Sequence, residues 1–158
     1  MMELPATWHL FGEEHLPQRL LLLAKMIERV ASKQLQVEFG ISVAQWRILA
    51  FVCTDGPATA SHIGSSGEID QAEISRAVKA LEGDGYVSRE FAEGSRKTMI
   101  ISPTAKGEQL FRKVRDLRRN YFSAITRDLD RERKAEFDRT LEVIAKAVIE
   151  LRETGAPA

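Results

Sequence analysis

The sharpest constraint in this chain is a change of hydrophobic period near residue 86. Up to that point the stretch DQAEISRAVKALEGDGYV (residues 70–87) repeats at helical spacing. Ile74, Val78 and Leu81 fall at i, i+4 and i+7, which makes one buried stripe. Asp70 stands where a helix is capped, and Glu73 follows at the three-residue spacing of a capping box. Gly83 and Gly85 end the run, as glycines past a helix commonly do. Beyond it, in YVSREFAEGSRKTMIIS, Val87, Arg89 and Phe91 alternate with Ser88 and Glu90, and residues 98–101 are β-branched and apolar. The polar AEGSRK between them, with Gly94, makes the pair a β-hairpin with a long tip. The opposite face of the helix carries Gln71, Ser75 and Lys79 in line, with Arg76 beside them.

Helices flank this core on both sides. Residues 1–11, with Pro5 and Trp8, read as an irregular or loosely docked tail. Residues 13–39 are helical, with Leu16, Leu20, Leu23, Ile27 and Val30 at spacings of four, three, four and three, and Gly40 as the stop. Ser42 caps a second helix whose inner face is Trp46, Leu49 and Ala50, and the breaker TDGP ends it. TASHIGSSG forms a short third helix with Thr59 as its cap and Ile63 inward. Gly64, Ser65, Ser66 and Gly67 give that segment poor helix propensity. After the hairpin, Thr104 caps a helix to about residue 128 with the stripe Leu110, Val114, Leu117, Tyr121 and Ile125. A last helix over about 131–152 carries Phe137, Leu141, Ile144, Val148 and Leu151, and TGAPA is expected to be disordered. The expected fold class is therefore mainly α with a small β-hairpin wing. It is one domain over 1–158, with a winged helix-turn-helix over 42–103 and dimerisation helices over 13–39 and 104–153. The surplus apolar stripes of the outer helices call for a second subunit.

Charge and cysteine content exclude several function classes. Lys+Arg and Asp+Glu both number 23, so a tail-driven or histone-like nucleic-acid binder is not expected. The single cysteine, Cys53, excludes an internal disulfide and a Cys-rich zinc site, and His9, His15 and His62 show no ligand spacing. No cofactor is expected. The longest apolar run, LLLLA, is too short to span a membrane, and no signal peptide is apparent, so a cytoplasmic protein is expected. No phosphate loop, nucleophile set or paired carboxylates support an enzyme.

In order and spacing, ISVAQWRILAFV, DQAEISRAVKALEGDGYVSR and SRKTMIISPTAKG resemble the MarR family of bacterial transcriptional regulators over nearly the whole chain. The resemblance implies a winged-helix homodimer that binds palindromic double-stranded DNA, often released by a small molecule. The sequence departs from the family pattern at three places. The Asp-x-Arg of the wing reads Ser95-Arg96-Lys97, so only a weaker, neutral hydrogen bond is left to hold residue 97. The Leu-Thr pair after the second strand reads Pro103-Thr104, and Gly64 and Gly67 stand where apolar residues are usual.

With this resemblance the polar helix face gains a partner. In a major groove Gln71 suits adenine, Arg76 or Lys79 suits guanine, and Ser75 suits a base or a phosphate. At the wing tip Ser95, Arg96 and Lys97 lie beside the minor groove or the phosphates. Thr59, Ser61 and His62 open the third helix, where N–H groups and hydroxyls suit a phosphate. An effector pocket for a small aromatic carboxylate or phenol is expected at His15, Arg19 and Trp46. Cys53 is expected to be a buried, inert thiol.

The 70–97 window holds six acids against five bases. Asp70 and Glu73 are expected to serve the cap, and Glu82 and Asp84 to face away from DNA. Two readings stay open: a repressor released by an effector, and a dimeric winged-helix protein-interaction module with weak or no DNA binding.

Overall fold

The computed structural model describes residues 3–67 and 69–155. Two 3-10 turns (Ala6–His9 and Gly12–Glu14) precede α1 (Leu16–Phe39), α2 (Val43–Thr54), α3 (Ala60–Gly67) and α4 (Gln71–Gly83). The strands β1 (Val87–Phe91) and β2 (Met99–Pro103) follow, then α5 (Ala105–Ile125) and α6 (Arg131–Thr154). This is the expected mainly helical fold with a hairpin wing. The chain forms two compact units, one through Arg118 and one from Arg119. No single described helix is long and apolar enough to cross a membrane.

Local signals place the helix starts. Ser42 and Gln45 form a reciprocal capping box at α2, with Gln45 N donating to Ser42 Oγ at 3.1 Å and Ser42 N to Gln45 Oε1 at 2.7 Å. Asp70 accepts from the backbone N–H of Ala72 and Glu73, and Asp130 accepts from that of Arg133. Gly40, at φ 67°, closes α1 in the left-handed region.

The first unit has one core. Ile41, Ile48, Leu49, Val52, Ile63, Ile74, Leu81, Val87, Ile101 and Val114 bring α2, α3, α4, the base of the hairpin and the start of α5 together. Here the inner face of α2 differs from expectation. Ile48 and Leu49 are fully buried, while Trp46 and Ala50 are half-buried and Trp46 stacks on Phe111 at 5.7 Å. The α1 stripe differs more. Leu16, Leu23 and Val30 are exposed, and Ala31 and Leu35 are the buried residues, because only the last turns of α1 meet the core.

The hairpin is antiparallel, pairing Val87 with Pro103 and Phe91 with Met99. A bridge that the sequence did not signal joins it to the helices. Ala58 and Ile101 exchange both backbone hydrogen bonds, at 3.1 and 2.8 Å. This ties β2 to the segment before α3. The outer half of β1 extends past the core, leaving Phe91 exposed.

The third helix forms despite its glycines. Thr59 Oγ1 accepts from the His62 N–H at 3.1 Å, and buried Gly64 lies where a Cβ would come 2.6 Å from Ile74 Cδ1. A side chain there would have to displace the end of Ile74 from between α3 and α4.

In the second unit α6 runs slightly past its expected end, to Thr154, and Gly155 at φ 60° stops it. Its stripe residues Phe137, Leu141, Val148 and Leu151 are exposed. The rest of the TGAPA tail, 156–158, lies outside the described residues.

Candidate nucleic-acid interface

One face of α4 is core and the other is free. Ile74, Ala77, Val78 and Leu81 are buried, while Gln71, Ser75, Arg76 and Lys79 are exposed. Helical geometry separates the free residues into two edges. Arg76 lies roughly 140° around the axis from Gln71. It lines a cleft of about 280 Å³ with Ser42, Gln45 and Glu73, on the α2 side.

The opposite edge runs toward the wing. Glu82, in the last turn of α4, accepts from Arg89 Nε at 2.8 Å and from a terminal nitrogen of the same guanidinium. The Arg89 hydrogen bonds hold the Glu82 carboxyl below its ordinary range, and the same pairing raises Arg89. One acid and one base of the nearly balanced 70–97 window therefore spend their charge on each other. The sequence predicts Glu82 to face away from DNA but does not reveal its partner, because the two are brought together only by the turn that reverses the chain.

At the hairpin tip Ser95 turns the chain. Its Oγ accepts from the N–H of Lys97 at 3.2 Å and of Thr98 at 3.0 Å, and its own N–H donates to Ala92 O at 2.9 Å. The neutral hydrogen bonds expected of serine are present, but they hold backbone rather than the Lys97 side chain. Arg96 and Lys97 are exposed at the tip, and Ser95 is half-buried beneath them.

At the start of α3, Thr59 is half-buried and Ser61 and His62 are exposed. The His62 ring sits edge-on to Phe51 at 5.5 Å. Thr59 uses an oxygen lone pair for its cap, which leaves the hydroxyl proton as a donor.

The three residues assigned to an effector pocket are engaged with different neighbours. Arg19 Nε donates to Trp8 O at 3.0 Å, its guanidinium lies 5.3 Å from the Trp8 ring, and NH2 meets His9 Nδ1 at 2.6 Å. The aromatic wall beside Arg19 is therefore Trp8, which docks the N-terminal turn. His15 contacts the Gly12 carbonyl, and Trp46 stacks on Phe111. A cavity of about 520 Å³ lies elsewhere in the first unit, lined by Cys53, Ser102, Glu108, Phe111, Arg112 and Arg115 among others. Burial pushes the Cys53 thiol up to about 11, with Glu108 adding to the rise and Arg112 opposing it. Cys53 is half-buried rather than buried as expected, while its raised pKa agrees with an inert thiol.

Comparison with known proteins places this geometry. The model of the MarR family matches residues 39–97, which run from the end of α1 through the tip of the wing. The HTH-type transcriptional regulator YwoH of Bacillus subtilis is 28% identical over 104 residues, covering 66% of this chain and 74% of its own length. A MarR/EmrR family regulator from Acinetobacter sp. ADP1 superposes with a TM-score of 0.78 at 21% identity, covering 87% of this chain and 97% of that one. A MarR family regulator from Listeria monocytogenes, complexed with 26mer DNA, gives 0.79 at 16% identity, with 90% and 97% covered. The solved structures share the winged-helix fold, and the family match falls on the lobe that carries α4 and the hairpin. Over residues 39–97 this chain is therefore similar to the MarR family of transcriptional regulators, and its fold is the one those solved structures share.

Proposed function

We propose that this regulator binds a palindromic double-stranded operator as a homodimer and represses by occluding a promoter. Each copy lays α4 in a major groove, with Gln71, Ser75, Arg76 and Lys79 toward the bases. Ser95 orders the wing tip, whose Arg96 and Lys97 reach the backbone or the minor groove. Thr59, Ser61 and His62 meet a phosphate at the start of α3.

The observation that carries this reading is the free polar face of α4, exposed opposite a fully buried stripe and followed directly by an exposed basic hairpin tip. Helix-in-groove recognition needs that arrangement.

Dimerisation through residues 13–39 and 104–153 is supported by apolar side chains left uncovered within one chain: Leu16, Leu21 and Met26 on α1, and Phe137, Val143 and Ile149 on α6. A dimer sets its half-sites about 34–36 Å apart. A small aromatic or phenolic effector that changes that spacing releases the DNA. The cavity beside Phe111, Arg112 and Arg115 supports the effector part, since guanidinium groups next to an aromatic ring suit such an acid.

Selection of bound sequences from random DNA tests the reading. A palindrome should be enriched, and Arg76→Ala should weaken binding to it. Absence of any enrichment would favour a protein-interaction module instead.

A further inference from the structure

The turn joining α4 to β1 is held from outside by the first turn of α5. Thr104 Oγ1 donates to the Gly85 carbonyl at 2.7 Å, and the Thr104 N–H donates to the Tyr86 carbonyl at 3.1 Å. Lys106 Nζ donates to the Asp84 carbonyl at 2.6 Å and lies 4.6 Å from the centre of the Tyr86 ring. Gly107 is buried, and a Cβ there would stand 2.0 Å from the Tyr86 carbonyl oxygen. All three carbonyls of the turn, 84 to 86, therefore face α5.

The turn needs such support. It follows a helix end, where unsatisfied carbonyls gather partial negative charge, and a lysine there both donates and neutralises. Gly85 adopts φ +75°, and Tyr86 N closes back on Leu81 O at 2.8 Å. The turn also sets the angle between α4 and the hairpin. Two contact elements held in one fixed relation meet a duplex without losing orientational freedom at the moment of binding.

We propose that Lys106 is a positioning residue for DNA binding: through the 84–86 turn it fixes the angle between α4 and the wing, so that both engage the duplex together. The proposal rests on the reading of α4 and the wing as a DNA interface. Lys106 itself does not contact a phosphate. Its effect on affinity is therefore independent of counterion release, which separates it from Arg96 and Lys97.

The test uses the full-length chain, its Lys106→Met and Lys106→Arg variants, the sequence enriched from random DNA, and a scrambled duplex of equal length. The methionine variant should bind the enriched sequence about five- to tenfold more weakly. Its affinity for the scrambled duplex and its salt slope should stay at wild-type values, and its thermal midpoint should fall by only a few degrees, the share of one exposed hydrogen bond. The arginine variant should recover most of the loss.

Amide exchange measured without DNA should show faster exchange at Gly85 and Tyr86 in the methionine variant. A salt slope lowered by about one would make Lys106 a phosphate contact and overturn the proposal. Unchanged specific affinity, or unchanged exchange at Tyr86, would also overturn it. If the wild-type chain enriches no sequence, the DNA reading fails and takes the positioning role with it. The exchange data then still report whether the clamp holds the turn.

Discussion

Glu82 on α4 and Arg89 on β1 form an ion pair in which one carboxylate oxygen takes two hydrogen bonds from one guanidinium. The pair spans the junction between the two elements that a winged helix presents to DNA, and it gives stability there a pH dependence of known sign. The folded-state pKa of Glu82 is lowered from its ordinary 4.5. Its contribution is therefore fully present above the ordinary carboxylate range and is lost as pH falls through the lowered folded value. Both partners are solvent-accessible, so the effect is small. Glu82→Gln should lower the melting temperature by about 1–2 °C at pH 7 and by less below pH 4. Melting curves across that range check it, and an equal loss at both pH values would remove the assigned role.

Two glycines should differ in cost when given a methyl group. At Gly107 the new Cβ meets backbone, the Tyr86 carbonyl, which cannot give way cheaply. Gly107→Ala should destabilise by about 3 kcal/mol, the upper end for overpacking. At Gly64 the nearest atom is the end of the Ile74 side chain, which can rotate away. There the gain in helix propensity, about 1 kcal/mol, offsets much of the clash. Urea denaturation of the two variants should separate them clearly, Gly107→Ala being the weaker protein.

At the wing tip, charge and shape make separable contributions. Arg96→Ala and Lys97→Ala should each reduce the slope of log affinity against log salt by about one. Ser95→Ala removes the acceptor for the Lys97 and Thr98 N–H groups without removing charge. It should weaken binding with the slope unchanged. Binding titrations at several salt concentrations give both quantities at once.

The Cys53 thiol, raised to about 11, holds only about one part in ten thousand as thiolate at pH 7. Alkylation by iodoacetamide should be slow at neutral pH and accelerate steadily as pH approaches that value. Cys53→Ser should leave DNA affinity and its response to peroxide unchanged.

What the sequence determined by itself is local. Caps at Ser42, Thr59, Asp70 and Thr104 act over three residues, and stripes such as Ile74, Val78 and Leu81 repeat within one helix, so spacing alone reveals them. The hairpin was legible for the same reason, since strand alternation is a nearest-neighbour property. The free polar face of α4 followed once its buried face was known.

The tertiary structure decided whatever depends on residues distant in the chain. It bridged Ala58 to Ile101, seated Arg19 on Trp8, and set Arg76 on the α2 edge of α4. Gly64 and Gly107, which propensity reads only as weak helix positions, became sites of close approach. The leucines of α1 showed the same limit. Their period identifies an apolar face, but a stripe states only that something should cover it. The last turns of α1 meet this chain's own core, and the first turns remain exposed.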